Sequence, residues 1–71
     1  MITDAQLDNW FTYHPPSPDQ TKQYVMIRDA ARNFAGTILH NTPPSADQTT
    51  AIRKIREAVM TANAAIACDG V

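Results

Sequence analysis

The residues best suited to chemistry stand together in "WFTYHPP", residues 10–16, where three of the five aromatic side chains fall within four positions. An aromatic ring held beside a rigid proline turn is a platform on which a nucleobase can stack. Tyr13 is the candidate for that role, because it lies off the Leu7–Phe11–His14 stripe and carries a polar tip. Trp10 is expected to cover the helices that follow, and Phe11 suits covering and stacking equally well. His14, between the aromatics and Pro15, has the chemistry of a general base; packing with a local hydrogen bond is the reading we favour. The turn also presents the free amides of the next helix start, which suit a phosphate.

Arginines supply the complementary charge. Arg28, two turns into that next helix, can fork onto a phosphate or stack on a base; the plainer alternative is a solvated face with Asp29 as its partner. For Arg32, one turn on, the solvated face is the better reading. "IRKIRE" (residues 52–57) reads first as an exposed face with Arg53 and Glu57 paired at i, i+4. Alternatively Arg53 and Arg56 face a symmetry axis, where repeated cations would collect an anion, and they form a second candidate pocket.

Catalysis is not indicated. No Ser-His-Asp or Cys-His set has a credible setting, and Gly36 and Gly70 are the only glycines, too few for a phosphate-cradling loop. His14, His40 and Cys68 lack the paired spacing of a tetrahedral metal site. We therefore expect no enzyme activity, no metal and no cofactor. His40 is expected to lie at a helix C-terminus, where its charge suits the dipole.

The elements that position these residues can be read from a near-repetition. "HPPSPDQT" at residues 14–21 returns as "TPPSADQT" at residues 42–49. Each copy reads as a helix start. Ser17 and Ser45 are N-caps, and Gln20 and Gln48 stand three residues on, in the pattern of a capping box. Pro18 occupies a favoured first helical position, and Asp19 and Asp47 face the positive end of the dipole. After each start, apolar residues recur at 3-4-3-4 spacing: Tyr24, Ile27, Ala31, Phe34 and Ile38, then Ile52, Ile55, Val59, Ala62 and Ile66. Such narrow seams pack one helix along another. Two helices, 18–40 and 46–67, joined by the short "NTPPS", form an antiparallel hairpin. A third capping box, Thr3 with Gln6, opens a shorter helix over 3–14, with Leu7, Trp10, Phe11 and His14 on one face. The fold class is all-α, a single domain over residues 1–71.

With 71 residues and Cys68 as its only cysteine, the chain has no internal disulfide. A core of this size supplies only about 3–5 kcal/mol. Val25, Met26, Leu39 and Met60 lie off the seams, so a helical homo-oligomer is expected. Gly36, mid-helix, is either a tolerated defect or a place where another helix approaches closely; the small residues of "TANAAIA" fit the second reading. Lys and Arg number six against seven acids, a net charge of −1, which disfavours general DNA or RNA binding. No apolar run reaches the ~20 residues of a membrane span. No basic and apolar blocks of a signal peptide open the chain, and a cytosolic location is expected.

The segments "FTYHPPSPDQ", "Y..IRDAA..FA..I", "TPPSADQ", "REAVM" and "ANAAIA" together resemble a family of small phage proteins over residues 10–68. These are the anti-CBASS sponges, which share a hairpin domain with the anti-Thoeris sponges. The resemblance implies a binding protein that sequesters cyclic oligonucleotide messengers in the cytoplasm of the infected bacterium without cleaving them. It implies a compact helical homohexamer, with cyclic dinucleotides held between protomers near the aromatic segment and, in some members, cyclic trinucleotides in separate pockets. Carried onto this chain, Tyr13 would stack on a base and Arg28 would contact phosphate. Phe11, His14 and Pro15 would shape the pocket. Some relatives are basic near the C-terminus where this chain has Cys68. The alternative is a small protein-interaction module, its off-seam apolar residues docking a host protein.

Overall fold

Three helix starts are written by three N-cap side chains. In the computed structural model, which describes residues 1–71, α1 spans Asp4–Trp10, α2 Pro18–Asn41 and α3 Ala46–Ala67. Thr3 Oγ1 accepts from the Gln6 amide at 3.2 Å while Gln6 Oε1 accepts from the Thr3 amide at 2.9 Å. Ser17 and Gln20 make the same reciprocal pair at 3.1 and 3.0 Å. Each box satisfies two amides that a helix start leaves open.

The third start departs from the expectation. Ser45 Oγ accepts from the Gln48 amide at 3.1 Å, but Gln48 does not reach back to Ser45. The last carbonyls of α2 have no intrahelical donors. Gln48 Nε2 supplies one, donating to Leu39 O at 3.2 Å and to Thr42 O and Thr42 Oγ1, each at 3.1 Å. Thr42 Oγ1 in turn donates to Ile38 O at 2.7 Å. Side chains, rather than a terminal glycine, finish α2. Thr42 is extended, as a residue before proline prefers.

The short helix also ends sooner than its apolar stripe suggested. Phe11 is its C-cap, so residues 11–14 lie outside the helix and Phe11 and His14 do not continue the Leu7 face. A helix of seven residues has too few hydrogen bonds to propagate unaided.

Helix packing is mainly that of α2 against α3. Of the ten seam residues, all but Phe34 are half-buried, whereas Phe34 keeps 58 % of its surface. No residue anywhere in the chain is fully buried. The reason is shape. The molecule measures 45 × 31 × 15 Å, and its short dimension holds one layer of helices about 10–12 Å across. Its radius of gyration is 15.2 Å, against about 11 Å for a compact domain of this length. The exposed surface of 5771 Å² exceeds the roughly 4,400 Å² of a compact monomer of this mass. The difference is larger than the about 800 Å² that one partner contributes to a standard interface.

Candidate ligand-binding site

Two hollows flank the seam. Ile27, Ala30, Phe34, Ile38, Lys54 and Ala58 line one, of about 740 Å³, where Lys54 is the only residue that is not hydrophobic. Arg28, Arg32, Ala35, Ile52, Arg56 and Met60 line the other, of about 460 Å³. Ala31, Ile55 and Val59 border both, so the hollows lie on either side of the seam. The second gathers cations over an apolar floor, a setting in which guanidinium groups can meet a phosphate. Arg32 lines this hollow and is exposed, as the solvated-face reading expects; it stands one turn from Arg28 on the same helix face. Arg53 and Arg56, one turn apart on α3, border a smaller hollow of about 260 Å³ with Glu57 and Met60.

The aromatic segment lies apart from these hollows. Phe11 is 83 % exposed and Tyr13 81 %, and neither they nor His14 and Pro15 line any hollow of the chain. Tyr13 and Arg28 are thus not brought into one enclosed site within a single chain. Phe11 does not cover the hairpin. Trp10 borders a shallow hollow with Thr61, Ala64, Ala65 and Cys68 of the α3 end.

The segment is nevertheless tied down. A nitrogen of His14, Nε2, lies 2.6 Å from Asn9 O. A carbonyl only accepts, so in the neutral ring Nε2 carries the proton and Nδ1 is left as an acceptor. Asn9 Nδ2 donates to Cys68 O at 3.3 Å and Trp10 Nε1 to Val71 O at 2.8 Å. Thr12 Oγ1 donates to Asp8 O. On the other side of Pro15 and Pro16, Gln20 Nε2 donates to Ile66 O at 3.4 Å. Directional polar contacts at both ends hold a segment whose apolar side chains touch little.

The α3 terminus is built to receive these donors. Gly70 N donates to Ala65 O at 2.8 Å and Asp69 N to Ile66 O at 3.3 Å, the paired bonds of a Schellman turn. Asp69 and Gly70 both have positive φ, 55° and 74°, which turns the chain back so that Val71 O meets the Trp10 ring. Neither Asn9 nor this turn stood out in the sequence. An asparagine inside a helix has no local signature for a partner 59 positions away. Elsewhere, His14, His40 and Cys68 join no cluster of metal-ligating side chains, and no helix is long and apolar enough to cross a membrane.

Residues 3–67 match the model of a protein family described as Acb2/Tad1, hairpin domain. Neither a curated protein nor a solved structure gives a match.

Proposed function

This chain belongs to the Acb2/Tad1 hairpin family, the anti-CBASS and anti-Thoeris sponges, and on that premise we propose that it captures cyclic oligonucleotide messengers and holds them intact. The family is a sponge-type group of binding proteins rather than of enzymes. The observation that carries the reading for this chain is the display of Phe11 and Tyr13. Both rings stand in solvent, at 83 % and 81 % exposure, on a segment anchored at either end. An exposed aromatic gains by stacking on a base, an interaction worth about 1–3 kcal/mol per base.

On this reading Tyr13 stacks on a base of a cyclic dinucleotide and Arg28 meets its phosphate, while Phe11, His14 and Pro15 shape the pocket walls. Tyr13 and Arg28 share no hollow of a single chain, and on this reading a second copy, in the homohexamer that the resemblance implies, completes the pocket. The large apolar face around Phe34 then lies at a protomer contact instead of in water. Arg53 and Arg56, which border one hollow, form the second candidate pocket, for an anionic ligand. The protein acts in the cytoplasm of the infected bacterium and starves the effector of its signal. Capture follows mass action, and it succeeds when the dissociation constant lies below the messenger concentration.

The test is to mix purified protein with a panel of cyclic di- and trinucleotides, filter, and chromatograph both the free ligand and that released by heating. Depletion followed by recovery of intact ligand is expected. Recovery of cleaved ligand would make the protein an enzyme, and no depletion of any member would turn the search to a host protein.

A further inference from the structure

The position of Tyr13 is not secured by a hydrophobic core, because its segment has none. Leu7, Trp10 and Phe11 are all exposed, and the helix before them has seven residues. Beyond Pro16 the Gln20–Ile66 bond holds the segment's far end; at its root stands a small polar junction. The Asn9 carbonyl accepts from His14 Nε2 at 2.6 Å, and the thiol of Cys68 is 3.9 Å from the same oxygen. The Asn9 carboxamide donates to Cys68 O at 3.3 Å. The next residue, Trp10, donates to Val71 O at 2.8 Å. One residue thus joins three parts of the chain: the end of α1, the root of the aromatic segment and the last turn of α3.

We propose that Asn9 is the residue that positions the Phe11–Pro15 segment, by clamping its root to the Schellman turn at Cys68–Gly70. This rests on the ligand site proposed above, which it deepens. Hydrogen bonds are directional, so the clamp sets the orientation of the segment as well as its distance from α3. Without it, His14 would still bond the Asn9 carbonyl, but the pair would swing together relative to the hairpin. Tyr13 would then lose registry with Arg28 across the protomer contact. The ordering cost that the clamp settles in the free protein would fall on ligand binding instead. Asn9 itself is a positioning residue, with no contact to ligand required.

The experiment uses the full chain as wild type, Asn9→Ala, Asn9→Asp and Trp10→Phe. Asn9→Asp keeps the side-chain size but replaces the donor to Cys68 O by a charged, acceptor-only carboxylate oxygen, so Asn9→Ala is the charge-neutral comparison. Two quantities are read: 15N order parameters of residues 11–14, and affinity for cyclic di-AMP and cyclic di-GMP. Oligomer mass and circular dichroism serve as controls. Both Asn9 variants are expected to lower the order parameters and to weaken binding about tenfold, with mass and helix content unchanged. Trp10→Phe is expected to do so to a smaller extent. Loosening without loss of affinity, or loss of affinity with the segment still ordered, overturns the proposal; the latter would make Asn9 a ligand contact. Collapse of helix content in all three variants overturns it too, since Asn9 would then be a folding residue. If the wild type binds neither probe, the ligand reading fails for them, and the order parameters alone decide whether the clamp exists.

Discussion

Gln48 Nε2 donates to Leu39 O at 3.2 Å, which fastens the first turn of α3 to the last turn of α2. Its counterpart in the repeated motif, Gln20, fastens the other end of the hairpin by donating to Ile66 O at 3.4 Å. The near-repetition of eight residues therefore writes a helix start twice and a clasp at each end of the hairpin. The two glutamines differ in how they share their amides. Gln20 also completes its capping box, whereas Gln48 gives all its side-chain bonds to α2 and its loop.

Replacing Gln48 by Ala removes the donor to carbonyls that α2 cannot satisfy from its own backbone. A net loss of about 1 kcal/mol is expected, a fall in Tm of roughly 4–8 °C for a domain of this size. Gln48→Glu should lose at least as much, because a carboxylate offers those carbonyls no N–H. Thermal unfolding followed at 222 nm checks both. A Gln48→Glu variant as stable as wild type would remove the clasp from the account.

Arg32 lies along α2 so that a Cβ added at Gly36 would stand 3.0 Å from its Nη1. The neighbour over Gly36 within the chain is thus the far end of a flexible side chain, which can move aside. Gly36→Ala is expected to raise helix stability by up to about 1 kcal/mol at unchanged oligomer mass. A drop in mass by sedimentation would instead show that a second helix packs against this glycine.

Asp69 adopts φ 55°, the left-handed region that costs a residue with a Cβ roughly 1–2 kcal/mol. Asp69→Gly should therefore stabilise the turn, by an amount reduced by the extra freedom that glycine brings to the unfolded chain. Gly70→Ala, at φ 74°, should do the reverse and free the Trp10 indole from Val71. The indole proton resonance of Trp10, the single tryptophan, reports the second effect directly.

Tyr13→Ala removes the ring proposed to stack on a base and nothing that the hairpin packs upon. Binding should weaken by about 1–3 kcal/mol, or roughly 5–150-fold, per base stacked. Oligomer mass should not change, and Tyr13→Phe should keep most of the affinity. Calorimetric titration of the three proteins with the messenger that the wild type depletes best decides it. Equal affinities for Tyr13→Ala and wild type would place the ligand elsewhere.

A layer one helix thick with no fully buried residue has little to hold it in isolation. Its Tm should fall on dilution, since association stabilises by mass action. Melting curves over a hundredfold concentration range are expected to separate by several degrees. Superimposed curves would mean that the hairpin is stable alone.

Much of this protein could be read from short-range pattern. The helix starts at Asp4, Pro18 and Ala46 follow from Thr3, Ser17 and Ser45, because an N-cap bonds within three residues. The seams follow from 3-4-3-4 spacing, because two helices can meet only along a stripe that their pitch permits. Family membership was legible for a related reason. The motifs that carry it, from "FTYHPPSPDQ" to "ANAAIA", are contiguous strings and need no fold to be seen.

Tertiary structure decided what depends on distant partners. The stripe Leu7–Trp10–Phe11–His14 fits a helical period, yet the chain leaves the helix at Phe11 and His14 turns to the Asn9 carbonyl. Gln48 fits a capping box, yet the short loop brings Leu39 and Thr42 carbonyls nearer to it than its own cap. Arg32, Arg28 and Arg56 share a hollow only because α2 and α3 pack at one particular register. Asn9 meets Cys68 across 59 positions. In each case local propensity allowed several outcomes, and the position of an unsatisfied carbonyl or a facing helix selected one.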